Sequence, residues 1–151
     1  MLQIFVIPTS QPILIGLYKD YHLLEEYTLQ AQLSESLIPF FSELKQQKKD
    51  FESLYFVRGP GSFMALKLIY LFAKTMQITQ NINLFGAMGF HFNENSPIKA
   101  YGNCYFIKEE NQIILKNFPT PPKTKPYALP KQLNPNFFSQ EIEPLYLLPP
   151  V

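Results

Sequence analysis

The sequence predicts an α/β protein with a mixed sheet, and three features of the residue pattern support this. Short apolar runs of strand length alternate with two helical stretches along the first part of the chain. The first three runs follow one another closely, which is typical of an antiparallel meander. A fourth run follows a helix, and such a strand is usually parallel to an earlier one and buried on both faces.

The meander consists of three predicted strands, Leu2–Ile7, Ile13–Tyr18 and His22–Leu29. Pro8 ends the first strand because proline cannot donate a hydrogen bond to a sheet. A helix is predicted next at Leu33–Lys48, because its apolar residues recur at helical spacing. They are Leu33, Leu37, Phe40, Phe41 and Leu44.

Pro39 lies inside this predicted helix and removes one of its backbone hydrogen bonds. The helix is therefore either kinked at Pro39 or divided into two short helices. The fourth strand, Leu54–Val57, then leads through a Gly-rich turn into a second helix at Phe63–Gln77. Ser62 is predicted to be the N-cap of that helix. One more short strand is predicted at Asn83–Phe85.

The second helix is apolar nearly all round, since Lys67 and Lys74 are its only charged residues. A helix of this kind must be covered on nearly every side. One sheet covers only one side of it. The helix is therefore either central to the core or half buried in its own domain and half in a partner, and the sequence leaves both readings open.

The turn before the second helix is Gly59-Pro60-Gly61-Ser62. Glycine allows positive φ and close backbone approach, and the free N–H groups at a helix start could hold an anion. The lysine of a Walker A loop and the dinucleotide-binding fingerprint are both absent. A tight structural turn and an anion site remain the two interpretations.

The C-terminal part differs in composition. Residues 86–97 are predicted to be loop, followed by a hairpin of Tyr101–Lys108 and Gln112–Phe118. Nine of the fourteen prolines lie from Pro119 onward, which predicts an extended tail. Apolar residues in the tail predict that it lies packed on the domain; they are Tyr127, Leu129, Phe137, Phe138, Tyr146 and Leu148.

Composition narrows the classes of function. A net charge of +1 and a single arginine, Arg58, argue against a stand-alone nucleic-acid reader. One cysteine, Cys104, excludes an internal disulfide and indicates a reducing compartment. The longest apolar run, Leu68–Ala73, is too short to span a bilayer. No signal peptide is evident at the N-terminus, so a cytoplasmic protein without membrane association is expected.

Residues with reactive side chains do not form a recognisable catalytic or metal-binding pattern. The two histidines lack neighbours at metal-ligand spacing, and the lone thiol lacks an activating base or cation. Asp20 and Asp50 fall in turns, and Glu109-Glu110 is at a hairpin tip. No catalytic residue, metal or cofactor is predicted; the residues considered were His22, His91, Cys104, Asp20, Asp50, Glu109 and Glu110.

One segment, VRGPGSFMALK at Val57–Lys67, resembles the hallmark GPGSFTGLRIG of the TsaB (YeaZ) family. Gly59–Phe63 match it fully. Met64 replaces the family's Thr, Ala65 its Gly and Lys67 its Arg. Meander, helix, strand, turn, helix and strand are also in the order of one ribonuclease-H-like, actin-like (ASKHA) half-domain.

Other segments support the resemblance. Residues 7–10 are similar to the family's N-terminal DTS segment with Pro8 in place of Asp, and Leu33–Pro39 is similar to its HSERLLP helix. Asn103-Cys104-Tyr105 lies where the family has a segment ending in E-V-Y, and residues 144–147 resemble its closing P-x-Y-L. The expected organisation is an actin-like domain at 1–98 and a reduced second half at 99–151, made of the hairpin 101–118 and the tail 119–151.

The resemblance implies a non-catalytic subunit of the machinery that makes threonylcarbamoyladenosine at position 37 of tRNAs. Such a subunit pairs with TsaD, the metal-dependent transferase, and supports the ATPase TsaE, while it engages tRNA only indirectly. The same surface can make a homodimer when TsaD is absent. The pairing helices correspond to Leu33–Lys48 and Phe63–Gln77, and the expected interface residues are Leu37, Phe41, Leu44, Phe63, Met64, Lys67, Leu68 and Leu71.

Two alternatives remain open. One is a small enzyme of the same superfamily, such as a nucleotide hydrolase or a peptidase. Actin-like ATPases place a carboxylate at the end of the first strand to hold hydrated magnesium, and Pro8 occupies that position here. The other alternative is a self-associating relative that no longer binds TsaD.

Overall fold

The structure of the protein is a computed structural model, and it describes residues 1–145. Its elements follow one another as β1 Leu2–Ile7, β2 Ile13–Lys19, β3 His22–Leu29, α1 Leu33–Gln46, β4 Ser53–Gly59, α2 Phe63–Gln80, β5 Asn83–Met88, β6 Ile98–Tyr101, β7 Cys104–Glu109 and β8 Gln112–Asn117. Short 3₁₀ turns lie at Gly89–Phe92 and Pro135–Phe137. No helix within the described residues is long and apolar enough to cross a membrane.

The main sheet has five strands in the order β3-β2-β1-β4-β5. β2 is antiparallel to both β1 and β3, whereas β4 is parallel to β1 and β5 is parallel to β4. The predicted meander and the predicted mixed sheet are therefore confirmed. The central strands β1 and β4 are buried along almost their whole length, as the uninterrupted apolar runs indicated.

The two faces of the main sheet have separate covers. On one face, alternate residues such as Ile4, Val6 and Phe56 form a core with α1 and α2. On the other face, Phe5 and Ile7 belong to a second apolar cluster. Side chains from the C-terminal segment complete this second cluster, among them Leu129, Leu133 and Phe138.

We call residues 119–145 the strap, because this segment crosses the second face and is bonded to both edges of the sheet. Gln132 forms an antiparallel bridge with His22 of β3, and Ser139 forms one with Gly86 of β5. The Tyr18 hydroxyl also donates a hydrogen bond of 2.7 Å to the Pro130 carbonyl oxygen. The prediction that the Pro-rich tail is packed on the domain is confirmed for these residues; Tyr146 and Leu148 lie outside the described ones.

Several boundaries differ from the predictions. α1 is one helix that contains Pro39, so the alternative of two short helices is wrong, and it ends at Gln46 rather than Lys48. α2 continues to Gln80 and ends where Asn81 adopts a left-handed conformation. β7 and β8 form the predicted hairpin.

The segment 86–97 was predicted to be loop, but β5 extends to Met88. Gly86 pairs with Phe56 on one side and with Ser139 of the strap on the other. A Cβ at Gly86 would lie 2.5 Å from the Glu141 carbonyl oxygen, so glycine here permits close approach of the strap rather than a turn. The sequence did not predict β6 as a separate strand, because it is only four residues long. It pairs with β7.

Phe138→Ala should destabilise the fold by about 2–4 kcal/mol, because Phe138 is the aromatic anchor of the strap. Its ring lies 4.9 Å from that of Tyr55 and 5.4 Å from that of Phe5. The matched control is Phe137→Ala, which removes an exposed ring stacked on His91 and should cost less than about 1 kcal/mol. Urea unfolding followed by circular dichroism measures both, and equal losses would contradict the anchoring role of Phe138.

Candidate functional site

α2 begins at a turn that requires glycine. Gly59 and Gly61 have φ angles of +132° and +154°, a region that L side chains rarely adopt. A Cβ on Gly61 would also lie 2.7 Å from Thr9 Cγ2. The Ser62 hydroxyl oxygen accepts a hydrogen bond of 3.4 Å from the Ala65 N–H, as predicted for an N-cap. The turn thus fixes where α2 starts and which of its faces meets the sheet.

The inner face of α2 packs on the main sheet through Leu66, Ile69, Ala73 and Met76, which are all buried. The outer face carries Met64, Leu71 and Ile78, which are 60%, 50% and 79% exposed. These three residues recur every seven positions and therefore lie along one line of the helix. We call Met64, Leu71 and Ile78 the helix patch.

Lysine and threonine side chains lie among and next to the members of the helix patch, with Lys67 and Lys74 each one turn from two of them. Thr75 and Thr79 donate their hydroxyl groups to the carbonyl oxygens of Leu71 and Thr75, each at 2.8 Å. Both threonine hydroxyl groups are therefore hydrogen-bonded within the helix. Among the predicted interface residues, Lys67 is exposed, and Leu68 is half-buried against the core.

The α1 residues expected at an interface are placed differently. Leu37, Phe41 and Leu44 are buried in the core of this chain, so their side chains are not available to a partner. The reason is that α1 has a single apolar stripe, and this stripe packs into the core beside the main sheet. Ile38, on the adjoining position, is 65% exposed. It lines a cleft of about 470 Å³ between the two helices, together with Phe72 and Met76.

Ile38 and Ile78 were missed by the sequence reasoning. Ile78 continues the seven-residue spacing of Met64 and Leu71 and would have been found had the predicted helix not stopped at Gln77. Ile38 lies off the apolar stripe of α1, so helical spacing already places it on the outer side of that helix.

A second cleft, of about 730 Å³, lies beside the Gly-rich turn. Thr9, Ser62 and two lysines, Lys99 and Lys125, are among its lining residues, and none of the lining residues is acidic. Without a carboxylate the cleft suits an anion better than a metal ion. The turn residues Gly59 and Pro60 do not line it, whereas Gly61 and Ser62 do.

Buried polar atoms surround this cleft. Within residues 1–145, Thr9 Oγ1, Asn93 Oδ1 and the Tyr127 hydroxyl are buried side-chain atoms without a good hydrogen bond. Burial raises the pKa of Tyr127, so its hydroxyl stays protonated at neutral pH. Thr9, Asn93 and Tyr127 all line the cleft.

The other reactive residues have structural surroundings. His91 stacks on Phe137 at 4.2 Å between ring centroids, and burial together with nearby Lys108 lowers its pKa. Arg58 Nε donates to the Glu143 carbonyl oxygen at 2.8 Å and so anchors the strap. In the described part of the chain, no three His, Cys, Asp or Glu side chains are close enough to hold a metal ion.

Gly61→Ala should destabilise the protein by more than about 2 kcal/mol, because it combines an unfavourable φ with a clash against Thr9. Gly102→Ala is the matched control, since Gly102 also has positive φ but has no atom within 4 Å of its would-be Cβ. That control should cost about 1 kcal/mol. Urea unfolding of both variants compares the combined cost of φ and the Thr9 contact at Gly61 with the cost of a left-handed φ alone at Gly102, and an equal cost would show that Gly61 is not specifically required at the turn.

No protein-family profile matches this chain. No curated protein matches it either. Solved structures do match: YeaZ from Pseudomonas aeruginosa superposes with a TM-score of 0.59 at 11% sequence identity, covering 85% of this chain and 70% of that one.

A second solved structure is described as an uncharacterized protein with similarity to peptidase YeaZ from Pseudomonas aeruginosa. It superposes with a TM-score of 0.54 at 10% identity, and the match covers 78% of this chain. It spans 64% of that chain, which is less than two thirds of its length. This chain therefore has the fold of YeaZ, and the resemblance first noted at Gly59–Phe63 is confirmed at the level of the fold.

Proposed function

We propose that this chain is a non-catalytic, TsaB-like subunit that binds a TsaD-type transferase through the outer face of α2 and thereby supports threonylcarbamoyladenosine synthesis on tRNA. The helix patch carries this proposal. The GPGSF segment supports it, because it occupies a strand–turn–helix junction in a chain that shares the YeaZ fold. Engagement of a TsaE-type ATPase and of tRNA would follow from membership of the larger complex.

The physical argument rests on what α2 leaves uncovered. Met64, Leu71 and Ile78 expose large apolar side chains in one line, and an amphipathic partner helix can bury such a line. Removing this apolar surface from water would stabilise the complex by about 25 cal/mol per Å² buried. A contact of this kind favours a protein partner over a small molecule, since the line is convex rather than a pocket.

The proposed interface differs from the one expected from the resemblance. Phe63, Met64, Lys67, Leu68 and Leu71 of α2 remain in it. Ile38 and Ile78 join it as exposed apolar side chains. Leu37, Phe41 and Leu44 leave it, because they hold α1 on the sheet.

The domain organisation of the proposed family is part of the same proposal. Residues 1–98 would be the ribonuclease-H-like, actin-like domain, and the strands of 99–117 with the strap would stand for a reduced second half. A homodimer would form through the same patch in the absence of a TsaD-type protein, because a line of apolar residues on one helix can pair with its own copy about a two-fold axis.

Leu71→Glu should abolish co-purification with a TsaD-type protein, with an affinity loss of at least about 100-fold, because a buried carboxylate would be left unpaired at the interface. Leu24→Glu is the matched control: Leu24 is 56% exposed on the edge strand β3. Circular dichroism checks that both variants are folded. A folded Leu71→Glu protein that binds as well as the control would remove the interface assignment.

The two alternative functions, a self-associating relative and a small enzyme, predict different results for the same purified protein. A self-associating relative would form a dimer that Leu71→Glu disrupts, yet would not bind the TsaD-type protein; sedimentation velocity with and without that protein distinguishes the two. The cleft beside the Gly-rich turn would suit a small enzyme, but its lining lacks a carboxylate. A thermal shift of several degrees with ATP and magnesium would support the enzyme over the subunit.

A further inference from the structure

The three-stranded sheet β6-β7-β8 has one buried and one open face. Ile98 and Phe106 lie opposite each other and are buried against Phe90. Side chains alternate along a strand, so the intervening residues point to the other side. On that open face Lys99 and Lys116 are exposed and Tyr105 is half-buried.

Three residues form a row across the open face. Lys99 of β6 is directly opposite Tyr105 of β7, which is directly opposite Lys116 of β8. Cross-strand partners share a face and have Cβ atoms about 5 Å apart. Tyr105 therefore lies between two lysines. We propose that this open face, centred on Tyr105, binds single-stranded RNA.

A second aromatic ring enlarges the surface. Phe118 continues the ladder of β8, since its N–H donates to the Asn103 carbonyl oxygen at 2.8 Å. Its ring meets Tyr105 edge to face with centroids 5.5 Å apart, and Lys116 Nζ lies 5.3 Å from its centroid. Aromatic rings next to cationic side chains are the usual platform on which unpaired bases stack while phosphates meet the cations.

The charge distribution favours RNA over a protein partner. Between Ile98 and Lys108, and again between Ile113 and Phe118, the sequence has no acidic residue. Glu109 is at the far tip of the hairpin, opposite Gln112. Lysine is depleted from the centres of protein–protein interfaces, whereas phosphates attract it.

The lysine row extends beyond the sheet. Lys125 of the strap lines the same cleft as Lys99 and adds a third cation on that side of the sheet. Lysines act as point charges and read no sequence. The low net charge of the whole chain gives no long-range attraction, and binding depends on this local cluster and on stacking.

The binding proposal stands on the open face alone, but the choice of a tRNA loop as probe rests on the proposed function. The test uses the full chain and a fluorescently labelled anticodon stem-loop RNA, titrated by anisotropy at about 50 mM salt. A duplex RNA with the same stem and no loop is the second arm. Saturable binding of the stem-loop and at least tenfold weaker binding of the duplex are expected.

Variants locate the binding. Tyr105→Ala should weaken it about tenfold through loss of stacking, while Tyr105→Phe should stay within about twofold. Lys99→Gln with Lys116→Gln should also weaken it about tenfold and should make the slope of log K against log salt shallower by about 1.4, since each single-strand phosphate contact contributes about 0.7. Lys19→Gln with Lys48→Gln is the matched control on exposed positions elsewhere.

The proposal is overturned if the wild-type chain shows no saturable binding, if the duplex binds as well as the stem-loop, or if the lysine pair variant binds like its control. If Tyr105→Ala does not fold, the variant with Lys99→Gln and Lys116→Gln still tests the proposal. Loss of a protein partner with RNA binding unchanged would identify a protein-docking face instead. Failure here leaves the Leu71→Glu experiment unaffected, because the two tests address different elements.

Discussion

β1 and β4 lie side by side in parallel at the centre of the main sheet, and both of their faces are apolar. Ile4 and Val6 face one cluster while Phe5 and Ile7 face the other, and all four are fully buried. A sheet of this kind needs a layer on each side. The rest of the structure follows from that requirement, because one layer is helical and the other is the strap.

Each layer gives the molecule a different outer surface. α1 turns its single apolar stripe inward and contributes only Ile38 to the outside. α2 has more apolar side chains than the sheet can cover, so Met64, Leu71 and Ile78 remain exposed. The helix patch thus consists of apolar side chains that the core of this chain does not bury. It is therefore the strongest candidate for a protein contact.

The strap covers the second face with few hydrogen bonds and many side chains. It closes the β3 edge at Gln132 and the β5 edge at Ser139, so both ends of the main sheet are protected from pairing with another chain. The small sheet β6-β7-β8 packs its apolar side on Phe90 and leaves its lysine- and tyrosine-bearing side open. The two proposed contacts therefore lie on separate elements and can act at the same time.

Local chemistry in the sequence determined the order of strands and helices, the Ser62 N-cap, the glycine turn and the two faces of the buried strands, because each depends on residues close together in the chain. Only the tertiary structure decided that Leu37, Phe41 and Leu44 are core rather than interface, that Gly86 admits the strap, and that Lys99 and Lys116 flank Tyr105. These depend on pairings between distant segments. A periodic pattern says that a face is apolar, but it does not say which neighbour covers that face.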